Sequence, residues 1–136
     1  MIGVLIVTHF DFGENLLQTA ETIVGKQEGC LAISVDNSKE IESMLADIQS
    51  GVDRVDYGDG VVILTDMFGG TPTNMSLSLL GSGKLEVITG ANLPMLLKIL
   101  NTREQPLESL AQEAKSAGRQ GILVAGEVLR RKIANG

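Results

Sequence analysis

The stretch IGVLIVTHFDFGENLLQTAETIVG, residues 2–25, runs from a continuous apolar segment through a polar turn into apolar residues spaced three and four apart. Ile2–Thr8 is rich in β-branched residues and does not alternate with polar ones, which marks a strand covered on both faces, as in a parallel sheet. Leu16, Leu17, Ala20, Ile23 and Val24 place a stripe on one face of a helix, and Gly25 stops it. A strand followed by a helix that packs back on the sheet is the repeating unit of an α/β fold.

Working outward, the unit recurs. Cys30–Val35 (CLAISV), Gly60–Thr65 (GVVILT) and Leu85–Thr89 (LEVIT) are further short apolar runs. Between them Ile41, Met44, Leu45 and Ile48 mark a second helix, with Asn37 or Ser38 as its cap. A third helix follows Thr71-Pro72-Thr73, where the proline suits a first turn. A fourth starts near Leu93-Pro94, and a fifth runs from about Pro106 to Ser116. The expected fold is a doubly wound, four-stranded parallel sheet with right-handed crossovers and strand order 2-1-3-4. A last apolar run, Gly121–Ala125 (GILVA), reads as an edge strand or an oligomer contact; a C-terminal tail follows from about residue 126, and its end, RRKIANG (130–136), reads as frayed. Residues 1–136 read as a single domain.

Composition narrows the function. The net charge is −6 and the pI near 4.7, which disfavours nucleic acid and anionic membrane, whose binding depends on Lys and Arg neutralising phosphates. Aromatic residues are 3% of the chain and Trp is absent, so stacking platforms for bases or sugars are not expected. The single cysteine, Cys30, excludes an internal disulfide, and the apolar runs are far shorter than the ~20 residues of a membrane-spanning helix. No secretory signal is recognisable at the start. A cytoplasmic protein that is not membrane-embedded is expected.

Ligands of an open parallel sheet bind beyond the carboxyl ends of the strands, near the point where strand order reverses. The loops there are Thr8–Gly13 after the first strand, Asp66–Asn74 after the third and Gly90–Pro94 after the fourth. With order 2-1-3-4 the first two are neighbours, and His9, the one histidine, faces Asp66. A carboxylate accepting the Nδ1 proton fixes the tautomer, leaves Nε2 its lone pair and stabilises a cationic ring, which makes a nucleophile of the histidine. Gly69, Gly70 and Thr71 supply close backbone approach, amides at a helix start and a hydroxyl, a set suited to an anion. Phosphoryl transfer through His9 uses all of these parts.

Plainer readings of each part stay open. Asp66 could cap a turn, and GGTPTN could be a tight strand-to-helix connection. Phe10, Phe12 and Phe68 are either a partner-contact surface around His9 or a packed loop. Asp11 and Glu14 suit the first turn of a helix. Cys30 and the methionines Met44, Met67, Met75 and Met95 read as packing. With one histidine and one cysteine, no metal site is expected.

On these residues the chain resembles the enzyme IIA domains of the mannose-fructose-sorbose type in the bacterial phosphoenolpyruvate-dependent sugar phosphotransferase system. The likeness rests on residues 2–25, on GVVILTDMFGGTPTNMS and on VITGANLPMLLKIL, and covers Met1 to about Ala125. It implies that His9 is the phosphoacceptor, taking a phosphoryl group from the phosphocarrier HPr and passing it to an enzyme IIB component. It further implies that Asp66 orients the ring and that Thr71 contacts the phosphoryl group. No cofactor is implied. A homodimer is, with a fifth, antiparallel strand from the C-terminal region exchanged between subunits, which would account for GILVA.

Some members of that family continue into a fused IIB domain. This chain stops at Gly136, so IIB is expected to be separate or absent, and any membrane permease to be reached only through it. GGTPTN resembles the sugar-transport branch rather than the branch that serves dihydroxyacetone kinase. Two rival readings stand beside transport. One is a regulatory phosphohistidine switch. The other is a Rossmann-like metabolite-binding module, against which the first turn THFDFGEN lacks the G-x-G-x-x-G pattern.

Overall fold

The computed structural model describes residues 1–135. Among them run β1 (Gly3–His9), α1 (Phe12–Val24), β2 (Cys30–Val35), α2 (Ile41–Val55), β3 (Val61–Thr65), α3 (Thr71–Leu77), β4 (Leu85–Ile88), α4 (Leu93–Leu100), α5 (Leu107–Gln120) and α6 (Ala125–Asn135). The four strands form one sheet in the order β2-β1-β3-β4, parallel throughout, as the apolar runs predicted. None of the described helices is long and apolar enough to cross a membrane.

The runs lack alternation because both faces of the sheet are covered. Successive side chains of a strand point to opposite faces. Val4 and Ile6 of β1, with Val62 and Leu64 of β3, pack on one face with Ala20 of α1, Leu96 and Ile99 of α4 and Leu110 of α5. Leu5, Val7, Val61 and Ile63 pack on the other with Met44 and Ile48 of α2 and Met75 of α3. Each such side chain contributes about 1.5–3 kcal/mol when fully buried. The central strands β1 and β3 are therefore the most deeply buried strands of the sheet, and their carboxyl ends make a firm base for a site.

Two local expectations are corrected. Neither Asn37 nor Ser38 caps α2; its N-cap is Glu40, without a side-chain bond. Asp36 instead closes its own turn, accepting from the Ser38 amide at 2.9 Å through Oδ1 and from the Lys39 amide through its carbonyl. The tail is helical as α6, with Glu127 in its first turn and Lys132 in its last, each placed favourably for the helix dipole. Between α5 and α6, Ile122–Val124 pairs with neither edge of its own sheet and lies exposed.

The amino-terminal ends of the strands are tied by Arg103, which is 6% exposed. Its Nε donates to the Ile2 carbonyl at 2.9 Å, Nη1 to that of Glu28 at 2.5 Å and Nη2 to that of Gly29 at 3.1 Å. The Arg103 carbonyl in turn accepts from the Ile2 amide at 2.9 Å. The guanidinium thus serves as a rigid three-way donor to the starts of β1 and β2. Arg103→Met should lower unfolding stability in urea by about 3 kcal/mol, since it orphans buried carbonyls while keeping the apolar stem. A loss below about 1 kcal/mol would show that water replaces the guanidinium.

Candidate functional site

In strand order β2-β1-β3-β4, the chain leaves β1 toward one edge of the sheet and β3 toward the other. The reversal point lies between their carboxyl ends, where a crevice is expected. β1 ends at His9, and β3 ends at Thr65, one residue before Asp66. Val7 pairs with Thr65, so the two loops leave the sheet side by side.

Asp66 reaches across this point. Its Oδ2 accepts from the His9 backbone amide at 2.9 Å and lies 2.7 Å from His9 Nδ1. Its Oδ1 accepts from the Met67 amide at 3.0 Å. Burial by itself pushes the Asp66 carboxyl up, but the hydrogen bonds from the His9 amide and ring, and the ring's positive charge when protonated, hold it below the usual carboxylate range. An ionised carboxylate only accepts, so Nδ1 carries the proton and Nε2 is left free of the aspartate.

The ring is enclosed by backbone on one edge. A Cβ added at Gly70 would sit 2.9 Å from His9 Cε1 and 3.4 Å from Nε2, so glycine there is a packing requirement. Gly70 is the N-cap of α3, Thr71 its first residue, half-buried, and Pro72 follows within the first turn. Gly69 takes a φ of 88°, the left-handed region that glycine adopts without cost. Backbone amides of this turn have no earlier carbonyl within the helix to bond.

The other loop is held just as firmly. Thr8, fully buried at the end of β1, accepts from the Gly13 amide through Oγ1 at 2.8 Å. Phe10, between them, has a φ of 49°, a left-handed conformation that costs a side-chain-bearing residue about 1–2 kcal/mol. This turn leaves the Phe10 ring 77% exposed beside a His9 side chain that is itself 45% exposed. Phe12, Met67 and Phe68 are exposed as well, so the three phenylalanines are not a packed loop, and Met67 is not core. On the β2 side, a depression of about 390 Å³ is lined by His9, Phe10, Asp11, Ser34, Val35, Asp36 and Asn37.

Other candidates lie apart. Cys30 opens β2 at the far end of the sheet, where burial pushes its thiol up to about 11, a protonated and unreactive state. A larger cleft of about 700 Å³ also lies at that end, bordered by Lys84, Glu86, Arg103 and Glu104. No cluster of metal-ligating side chains occurs among the described residues. Among the buried hydroxyls that sequence reasoning passed over are those of Thr8, Thr65 and Thr73, whose only signal was a polar residue where a strand ends or a helix begins.

The family model described as PTS system fructose IIA component matches residues 3–115. The chain is 30% identical over 138 residues to the PTS system fructose-specific EIIA component of Bacillus subtilis (strain 168), spanning 99% of this chain and 94% of that protein. It is 32% identical over 124 residues to the PTS system mannose-specific EIIAB component of Escherichia coli (strain K12), spanning 89% of this chain and 38% of that longer protein. The crystal structure of phosphotransferase system component EIIA from Streptococcus agalactiae matches with a TM-score of 0.84 at 27% identity, over 93% of this chain and 99% of that one.

The lowered Asp66 titration has a measurable sign. A carboxyl that titrates lower in the folded chain than its unfolded value of ~3.9 adds stability above that value, which is lost as pH falls through the folded one. Between about pH 6 and about pH 3 the wild type should therefore lose more unfolding free energy in urea than Asp66→Asn. Equal losses would mean that the pair contributes nothing to folding.

Proposed function

The chain belongs to the family of PTS system fructose IIA components, and from that membership and the His9–Asp66 geometry we propose that it carries phosphoryl groups on His9. The observation that supports this most is the single carboxylate oxygen shared between the His9 amide and Nδ1, because it fixes both the place and the tautomer of the ring.

In this reading the donor is phospho-HPr. The Nε2 lone pair of His9 forms a nitrogen–phosphorus bond as the bond to the donor's ring nitrogen breaks, and the donor nitrogen leaves with the electron pair. The His9 ring becomes cationic while Nδ1 keeps its proton toward Asp66, whose negative charge opposes the new positive one. Amides around Gly69 and Gly70 and the Thr71 hydroxyl hold the phosphoryl oxygens. Catalysis is positioning and electrostatics, with no metal or nucleotide supplied by the chain. An enzyme IIB component then takes the group by the reverse displacement, in the service of sugar uptake. Phe10, Phe12 and Phe68 form the apolar contact surface for both partners, and the acidic chain suits a basic docking face. A cytoplasmic location, with any membrane permease reached through IIB, goes with this role.

We also assign a homodimer to the protein. Ile122 is 74% exposed, Leu123 67%, Leu129 60% and Ile133 73%, and α6 buries no residue. A helix of α6's length is marginal in water without packing. A second copy would cover these side chains and could receive Ile122–Val124 beside its β4 edge.

Incubated with phosphoenolpyruvate, enzyme I and HPr, the protein should gain one acid-labile phosphoryl group by intact mass, and His9→Ala should gain none. Transfer through His9→Ala at the wild-type rate would refute the proposal. Asp66→Asn should slow uptake roughly 100-fold, and Thr71→Ala less, since neighbouring amides remain. Adding a cognate IIB should discharge the group. For the dimer, Ile122→Asp with Leu129→Asp should sediment as a monomer while the wild type sediments at twice that mass; a monomeric wild type would exclude it.

A further inference from the structure

Asp66 holds His9, but Asp66 is itself a loop residue, and what holds the loop lies one turn into α3. Thr73 is fully buried there. Its Oγ1 donates to the Met67 carbonyl at 2.5 Å and lies 2.6 Å from Thr65 Oγ1. A hydroxyl has one proton, and a carbonyl cannot donate, so the Thr73 proton goes to Met67 and the Thr65 hydroxyl must donate to Thr73. The direction of both bonds is thereby fixed.

Met67 is the residue whose amide donates to Asp66 Oδ1. Thr73 therefore grips the carbonyl of the residue whose own N–H grips the carboxylate, and the other carboxylate oxygen grips the histidine. A continuous path runs from the last residue of β3 through Thr65, Thr73 and Met67 to Asp66 and His9. The coupling along this path is mechanical, through the Met67 backbone, and it starts from the buried Thr65 and Thr73 hydroxyls, which are costly to leave without partners. The path also closes the loop on itself. Thr65 precedes it and Thr73 follows it, so their bond pins both ends of the segment that carries Asp66, Gly69 and Gly70.

We propose that Thr73, relayed by Thr65, is a positioning residue for phosphoryl transfer: its hydroxyl fixes the Asp66 carboxylate and through it the Nδ1–H tautomer of His9. This rests on the phosphohistidine reading for its rate consequence but not for its structural one. Without the hydroxyl the Met67 carbonyl loses its tether, Asp66 gains freedom to turn, and the ring loses the carboxylate that selects the productive nitrogen. Misplacement of about 1 Å at such a distance can cost roughly 100-fold in rate.

The test pairs ring nitrogen NMR of His9 at about pH 9 with steady-state transfer from phospho-HPr in the full-length wild type, Thr73→Val and Thr73→Ser. In Thr73→Val, the Nδ1–H tautomer should give way to a mixture and kcat should fall roughly tenfold to a hundredfold, with KM for phospho-HPr within about twofold. Thr73→Ser, which keeps the hydroxyl, should restore both. If Thr73→Val does not fold, Thr73→Ala removes the hydroxyl without demanding space and is read in the same way. A wild-type tautomer ratio in a folded hydroxyl-less variant would overturn the proposal, as would a serine variant no better than valine. Should the wild type accept no phosphoryl group, the functional reading fails on its own and the tautomer ratio still decides this one.

Discussion

One oxygen atom, Oδ2 of Asp66, joins the two halves of the site. It accepts from the backbone amide and lies at hydrogen-bond distance from the ring of the same residue, so His9 is held at two points. A single bond to a ring nitrogen leaves the side chain free to swing about its own torsions, and the second bond removes most of that freedom. Burial works against the ionised carboxylate, and the hydrogen bonds gathered around it outweigh burial. The pair stays charged on its acidic side, which allows the aspartate to stabilise a cation on the ring.

Everything else brings those two residues to this distance and keeps them there. The crossover from β2 to β3 puts β1 and β3 side by side, with their carboxyl ends facing one solvent region. The two-sided aliphatic core makes the strands rigid, and Arg103 locks the opposite end. Threonine hydroxyls then fasten the loops: Thr8 holds the start of α1, and Thr73 holds the loop before α3. Among the described residues, Phe10, in the turn directly after the histidine, is the one non-glycine with a positive φ. Such strain persists only where the surroundings over-determine the conformation, as the Thr8–Gly13 bond does here.

Much of this was legible in the sequence. Short, unbroken, β-branched runs such as GVVILT, bounded by glycine and polar residues, read as strands covered on both faces, and with intervening helical stripes they leave few topologies open. His9 and Asp66 were legible because each follows such a run, where a parallel sheet opens to ligands. What was not legible depended on partners distant in sequence. Nothing around Arg103 marks it as buried, because its acceptors are carbonyls some seventy to a hundred residues away. The hydroxyl chain through Thr73 is equally silent, since threonine in the first turn of a helix normally means nothing beyond local capping. The C-terminal run was legible only as strand-like residues: Ile122–Val124 lies unpaired in the single chain, and its partner is not written beside it.

The backbone of Gly70 against the ring has a consequence for the order of events. With Nδ1 committed to Asp66 and the Cε1–Nε2 edge close against Gly70, the exposed side of the histidine ring is restricted. On the proposed phosphoryl-carrier reading, two macromolecules would not share that side of the ring. A donor and an acceptor would have to take turns, with the loaded protein diffusing free between visits. The kinetics would then be ping-pong, and the intermediate a separate species whose lifetime, rather than any ternary complex, would couple the two half-reactions.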